Sequence, residues 1–177
     1  MITFMFNKIQ AWDEHAIQKI SSLSNKFLDH IMVFFTRLGN SGIIWAIIAT
    51  LLLIRKSNRI ISLKIFFALV LSAIMGELII KYTVGRTRPS ENISKDDLLI
   101  RKPKTYSFPS GHTSSSFSSA LVISMAFPQP IIIGSVFILA SIIAFSRIYL
   151  KVHYPTDVLA GIVLGFVIAF LVEIILT

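Results

Sequence analysis

Three short polar clusters carry the residue types that phosphoryl chemistry needs. Lys81 leads to Arg88-Pro89 in a K-x6-R-P spacing. Pro109-Ser110-Gly111-His112 follows as one run, and Ser146-Arg147 leads to His153 and Asp157 in the spacing S-R-x5-H-x3-D. Together they offer cations, imidazoles, a carboxylate and a Ser-Gly turn. Arginine grips phosphate oxygens bidentately, while lysine acts as a point charge. All three clusters sit at the ends of apolar runs, so they are expected to meet in one phosphate-handling site.

Each cluster has a local reason for its composition. Lys81 and Arg88 are seven residues apart and share one helix face if the helix persists that far. Gly85 and Pro89 weaken helical geometry there, and the helix is expected to finish at this point. Glu77 lies four residues before Lys81 inside an apolar run, where a carboxylate is costly, so a structural Glu77–Lys81 pair is expected. Pro109 and Ser110 open the next helix as first-turn proline and cap. Free N–H groups at a helix start make an anion site, and Gly111 lets an oxyanion approach the backbone. The hydroxyls at 113–116, 118 and 119 read as small residues for close helix packing, with no chemical role. Asp157 falls in the first turn of the last helix, after Pro155, and can reach back as a capping box does. That reach would hold one nitrogen of His153 and leave the other aimed at phosphorus, with the histidine itself as nucleophile. Arg147 adds a third cation, and in-line transfer depends mainly on positioning and on neutralising the equatorial oxygens. Lys81, Arg88, Arg147 and the helix-start amides suit that task without a metal. Arg86 is given no role.

These clusters need a scaffold that gathers residues 81–157 at one surface. The 177 residues are one domain's length, with 1–37 as an N-terminal segment and 81–157 carrying the motifs. Hydrophobic residues make up 54% and charged residues 15%, against about 25% charged in soluble domains. With a mean hydropathy of +0.76, this is the composition of an integral membrane protein. Residues 60–80, 111–127, 130–150 and 157–176 are long enough, or nearly so, to cross a hydrocarbon core of about 30 Å. Residues 38–54 are shorter but uncharged, and count as a fifth span. Within 1–37, Asp13, Glu14, Lys19, Lys26, Asp29 and Arg37 interrupt Ile17, Ile20, Leu23, Phe27, Ile31 and Phe34 at helical spacing. This segment reads as amphipathic helix at the interface, with 27–35 able to dip in as a sixth partial span. The expected fold is all-α: a polytopic membrane helix bundle of five to six transmembrane helices.

Other features bound the function. There is no cysteine, which removes disulfides and thiol chemistry, and the four histidines are scattered rather than paired for a metal. The net charge of +8 fits cations at membrane interfaces, so bilayer and lipid, not nucleic acid, are the expected partners. Residues 1–14 lack the apolar core and cleavage site of a signal peptide, and insertion without cleavage is expected. Arg55, Lys56 and Arg59 suit a cytoplasmic loop, yet 81–104 carries seven Lys or Arg and must lie opposite. Cations that bind substrate are not free topology signals, which favours a site on the extracytoplasmic face of the cell membrane. Residues 90–104 form a candidate rim loop. Gly161 and Gly165 suit helix association, within a bundle or between copies, so oligomeric state stays open.

The three clusters resemble the signature of the type 2 phosphatidic acid phosphatase superfamily, which includes lipid phosphatases, bacterial acid phosphatases and vanadium haloperoxidases. The resemblance runs from Lys81 to Asp157 with every signature position filled. It implies a helical bundle with metal-free, cofactor-free chemistry. It further implies that His153 forms a phosphohistidine, that Asp157 orients it, and that His112 protonates the leaving oxygen and later helps activate water. Lys81, Arg88, Ser110, Gly111 and Arg147 would hold the phosphoryl group. Many membrane members carry a complete span before the amphipathic segment, whereas this chain begins almost directly at the latter. Small bacterial undecaprenyl-diphosphate phosphatases of the superfamily are similarly short, which points to a polyprenyl diphosphate substrate. Phosphatidylglycerophosphate and phosphatidate hydrolysis, lipid phosphotransfer, and a non-catalytic scaffold or channel subunit are the alternatives. A neutral nucleophile beside a protonated acid would give a bell-shaped pH profile.

Overall fold

The computed structural model describes residues 2–94 and 97–176, and every regular element among them is helical. Two helices, α1 (Ile2–Ser21) and α2 (Lys26–Leu38), make the N-terminal segment. A tight turn at Asn40–Gly42 leads into α3 (Ile43–Leu53). Ser41 and Gly42 both take positive φ in that turn, 50° and 69°. A Gly-Asn-Ser-Gly stretch tolerates such backbone and breaks the helix. The span expected over 38–54 therefore begins at Ile43, and α2 and α3 meet at a bend of 52°.

Next come α4 (Arg59–Ser72), a π-helical stretch over Ala73–Ile80 and α5 (Lys81–Val84), continuous within one apolar helix, Lys56–Val84. After the loop that contains residues 95 and 96, which lie outside the described residues, α6 (Gly111–Ala126), α7 (Pro130–Tyr149) and α8 (Pro155–Ile175) complete the bundle. Among the described residues, three helices are long and apolar enough to cross a membrane: Lys56–Val84, α7 and α8. The bent pair α2–α3 makes a fourth if it is one span.

α6 is different in kind. Its 16 residues reach only about 24 Å at 1.5 Å per residue, and eleven of them are buried. It packs against α4, α7 and α8, so its serines face protein rather than lipid. Trp45 Nε1 donates to Ser116 Oγ at 3.0 Å, and Ser72 and Ser118 hydroxyls meet at 3.3 Å. On α8 the Gly161/Gly165 stripe closes on α6. A Cβ at Gly161 would stand 2.8 Å from Ser110 O, and one at Gly165 2.8 Å from Ser114 O. The glycines thus serve backbone-to-backbone contact inside the bundle.

Helix direction alternates through this core. The α5 end, the α6 start, the α7 end and the α8 start consequently share one end of the bundle, which is where the three motifs lie. The N-terminal segment covers the same end: Met32 of α2 packs with Tyr149, Leu150 and Val152, and Ile20, Leu28 and Ile31 close over them.

Candidate active site

Lys81 ends the π-helical stretch, its N–H reaching back to Gly76 O. Such widened turns are concentrated at functional sites. Its ammonium is buried and donates to both oxygens of Glu77 at 2.7 Å, so the expected pair exists. Gly85 then ends α5 with φ 63°, and Arg88 follows in extended backbone. The shared helix face proposed for Lys81 and Arg88 is thus replaced by a helix end and an extended arm. The two cations still converge, each donating to Thr105 Oγ1 at 3.3 Å.

Arg88 is locked. Nε donates to Thr105 O at 2.6 Å, Nη2 to Tyr106 O at 2.8 Å and Nη1 to Val152 O at 2.7 Å. The same Nη1 lies 3.0 Å from His153 Nε2. A guanidinium only donates, so Nε2 must be the lone-pair nitrogen and the ring proton sits on Nδ1. His153 is 2% exposed. Burial first, and then the positive charges of Arg88, Arg147 and Lys81, hold its pKa well below the usual histidine value. Burial also lowers the pKa of Arg88, against the charges of Glu77 and Asp157.

Behind the ring, Asp157 Oδ2 stands 3.6 Å from His153 Nδ1. That is ion-pair reach without a hydrogen bond, and Nδ1 has no hydrogen-bond partner among the described residues. The carboxylate is committed elsewhere: Oδ2 accepts from Tyr154 N at 2.9 Å, and Oδ1 from Arg86 Nη1 at 2.7 Å. The reach-back of a first-turn carboxylate is therefore present, directed at the residue after the histidine.

Ser110 occupies the cap position of α6, but its side chain caps nothing. Its hydroxyl instead accepts from Thr113 Oγ1 at 2.8 Å, and its N–H goes to Asp157 O at 3.0 Å. The first-turn amides of α6 are left for an anion. An anion does approach Gly111: a Cβ there would lie 2.1 Å from Glu77 Oε1. Arg147 is buried, with Nη1 donating to Thr36 Oγ1 and Nε without a hydrogen-bond partner among the described residues. His112 Nε2 sits 2.9 Å from Asn40 Oδ1, across the bend between α2 and α3.

Sequence reasoning missed the supports of this site. Arg86, left without a role, donates to Asp13 and Asp157 at 2.7 Å each, and to Gln10 and Thr156. It also stacks 4.1 Å above the Tyr154 ring. Burial alone would lower its pKa, but the hydrogen bond to Asp13 and the charges of Asp157 and Asp13 raise it. Asp13 is fully buried and also accepts from Thr156 N at 3.0 Å. One signal was readable. Asp13 lies four and seven residues before Ile17 and Ile20, on the apolar stripe, where a carboxylate demands a partner. Thr36, Asn40 and Thr105 gave no comparable signal.

A helical bundle with membrane-length helices and a buried histidine among cations at one end defines a polytopic membrane protein. The chain belongs to the PAP2 superfamily, whose model matches residues 61–176, and within it to the membrane lipid phosphatase branch. It is 35% identical over 144 residues to an undecaprenyl-diphosphatase of Sulfolobus acidocaldarius, covering 81% of this chain and 68% of that protein. Identity to phosphatidylglycerophosphatase B of Bacillus subtilis is 30% over 182 residues, 94% of this chain and 84% of the relative. The crystal structure of a transmembrane PAP2-type phosphatidylglycerolphosphate phosphatase from Bacillus subtilis superposes with a TM-score of 0.73 at 24% identity, over 96% of this chain and 86% of that one.

Proposed function

We propose that this chain is an integral membrane phosphatase that removes the terminal phosphate of a lipid diphosphate, undecaprenyl diphosphate before others, through a phosphohistidine at His153. The observation that carries the reading is His153 itself. Its Nε2 lone pair faces Arg88 Nη1 at 3.0 Å, and the Asp157 carboxylate stands 3.6 Å behind the other nitrogen. An arriving phosphoryl group takes over Arg88 Nη1 and frees Nε2 for attack. A P–N bond forms as the bridging P–O bond breaks. The electron pair goes to the leaving oxygen, His112 supplies its proton, and lipid monophosphate departs. Asp157 balances the imidazolium that develops on His153. Water, deprotonated by His112, then attacks phosphorus, the P–N bond breaks, and inorganic phosphate leaves with His153 restored. Lys81, Arg88, Arg147, the Ser110 hydroxyl and the Gly111 amide hold the equatorial oxygens, each donor contributing a few kcal/mol in a water-excluding site.

One domain of five spans serves this chemistry, with α6 as the fifth, shielded from lipid by its neighbours, and α1 lying on the membrane. The site faces the extracytoplasmic side of the cell membrane. The undecaprenyl-diphosphatase relative supports the polyprenyl substrate, and the phosphatidylglycerophosphatase relative supports a second reading, hydrolysis of phosphatidylglycerophosphate. Purified protein assayed with undecaprenyl diphosphate, phosphatidylglycerophosphate and phosphatidate side by side decides the preference. Release of phosphate should survive excess EDTA and vanish in His153→Ala. Full activity in that variant refutes the nucleophile.

A further inference from the structure

Next to His112 and Arg147 lies a cavity of about 620 Å³ that the catalytic reading leaves unused. Arg37, Arg101, Lys102 and Lys104 line it together with those two residues, and no carboxylate does. Lys102 has an acidic neighbour outside the cavity, its ammonium 3.5 Å from Glu91 Oε1 and 2.7 Å from the Glu91 carbonyl. The side chains of Arg37, Arg101 and Lys104 make no hydrogen bond or ion pair with any described residue. Arg147 is buried and its Nε has no partner. Unpaired cations facing a common space repel one another, a cost that an anion between them reverses.

Cations at a membrane interface ordinarily face lipid headgroups or water. These differ in position: they arrive from two separate segments, the α2 end and the 100–104 loop, and their cavity shares a wall with His112. His112 is the residue assigned to the leaving oxygen. Whatever is attached beyond that oxygen must therefore lie on the His112 side of the reacting phosphorus. In a simple lipid monoester that group is a neutral glycerol or prenyl carbon. In a diphosphate it is a second phosphate, charged before the bond breaks and more highly charged after.

We propose that this cavity is the subsite for the proximal phosphate of a lipid diphosphate, held by Arg37, Arg101 and Lys104. The proposal rests on the phosphatase reading and narrows it: the chain selects a diphosphate over a monophosphate of the same lipid. As the bridging P–O bond breaks, negative charge accumulates on the departing monophosphate, and these cations stabilise it there. They therefore act on the leaving group, while Lys81 and Arg88 act on the transferred one.

The test compares farnesyl diphosphate with farnesyl phosphate, in zwitterionic detergent micelles, for wild type and for the triple variant Arg37→Gln/Arg101→Gln/Lys104→Gln. The quantity read is the ratio of kcat/KM for the two substrates. Loss of several charge-assisted contacts should lower that ratio by about tenfold or more. Shared prenyl chain and shared fold make the monophosphate an internal control for folding. A ratio unchanged by the triple substitution, with wild type active, overturns the subsite and leaves the phosphatase reading intact. A defect that appears only when phosphatidylglycerol is added to the micelles overturns it too, because the cations would then be gripping bulk anionic lipid. Wild-type protein that releases phosphate from neither compound overturns both readings.

Discussion

Replacing Arg86 should destabilise this protein more than its place outside the motifs suggests, because two buried carboxylates depend on it. Arg86 donates to Asp13 Oδ2 and Asp157 Oδ1 at 2.7 Å each, and both aspartates are 0% exposed. Arg86→Met keeps most of the aliphatic stem and removes the charge. Removing one partner of a buried pair costs about 3–5 kcal/mol. Arg86 is itself 19% exposed at its side chain, so water can partly replace it, and the lower end, about 3 kcal/mol, is expected. That is roughly a 150-fold shift in the folding equilibrium. Adding Asp13→Asn removes one of the two stranded charges. The double variant should then be more stable than Arg86→Met alone by about 1–2 kcal/mol, a coupling that independent sites would not show. Unfolding by SDS titration in mixed micelles, followed by circular dichroism, measures both quantities. The activity readout is separate: kcat should fall in Arg86→Met with KM changed little, since Asp157 loses an anchor while the phosphate cradle keeps its cations. Arg86→Lys should recover part of kcat. An Arg86→Met midpoint matching wild type, or a double variant whose loss equals the sum of the singles, would refute the reasoning.

Three further outcomes follow from named groups. Since burial and three nearby cations depress the pKa of His153, the nucleophile stays neutral below the usual value of about 6.5; the acid limb of kcat/KM, corrected for substrate ionisation, should fall below that pH, and a limb at or above it contradicts the assignment. The linkage has the same sign: below about pH 6.5 the unfolded chain binds a proton that the folded chain refuses, so stability should drop as pH falls through that window. Gly161→Val places its Cβ 2.8 Å from Ser110 O and 2.9 Å from Thr113 Cβ, and pushing α8 from α6 should cost about 2–3 kcal/mol and reduce activity. Wild-type behaviour of that variant would show that the helices can separate freely.

What was legible in the sequence was local. The K-x6-R-P, P-S-G-H and S-R-x5-H-x3-D spacings named residues that the fold gathers at one end, because each lies at a helix terminus and termini alternate between faces. Spans 130–150 and 157–176 were found to within two residues, since Pro130 and Pro155 mark helix starts. The start of α3 was misplaced because the apolar run hid a turn whose signal, Gly-Asn-Ser-Gly, was only four residues long. The supports of the site were not legible for a different reason. Asn40 meets His112 across 72 positions, and Asp13 meets Arg86 across 73. No periodicity reports a contact at that distance. The N-terminal segment thus read as a surface helix, although Asp13 and Gln10 tie it to the residue that holds Asp157.

Glu77 explains how so much positive charge can be buried before any phosphate arrives. Lys81, Arg88 and Arg147 are each 5% exposed or less, and three such cations without an anion would oppose folding. Glu77 supplies the anion: both its oxygens lie 2.7 Å from Lys81 Nζ, and Oε1 is pressed against Gly111. Its side chain is 40% exposed, and as a side chain it can swing away where a backbone group could not. The carboxylate therefore pairs Lys81 directly and lowers the cost of burying Arg88 and Arg147 through its charge. On the proposed reading, phosphate entry would be the exchange of one anion for another, not the insertion of charge into an unprepared core. Such an exchange would keep the proposed cradle preorganised, which is the condition under which fixed cations lower a phosphoryl-transfer barrier.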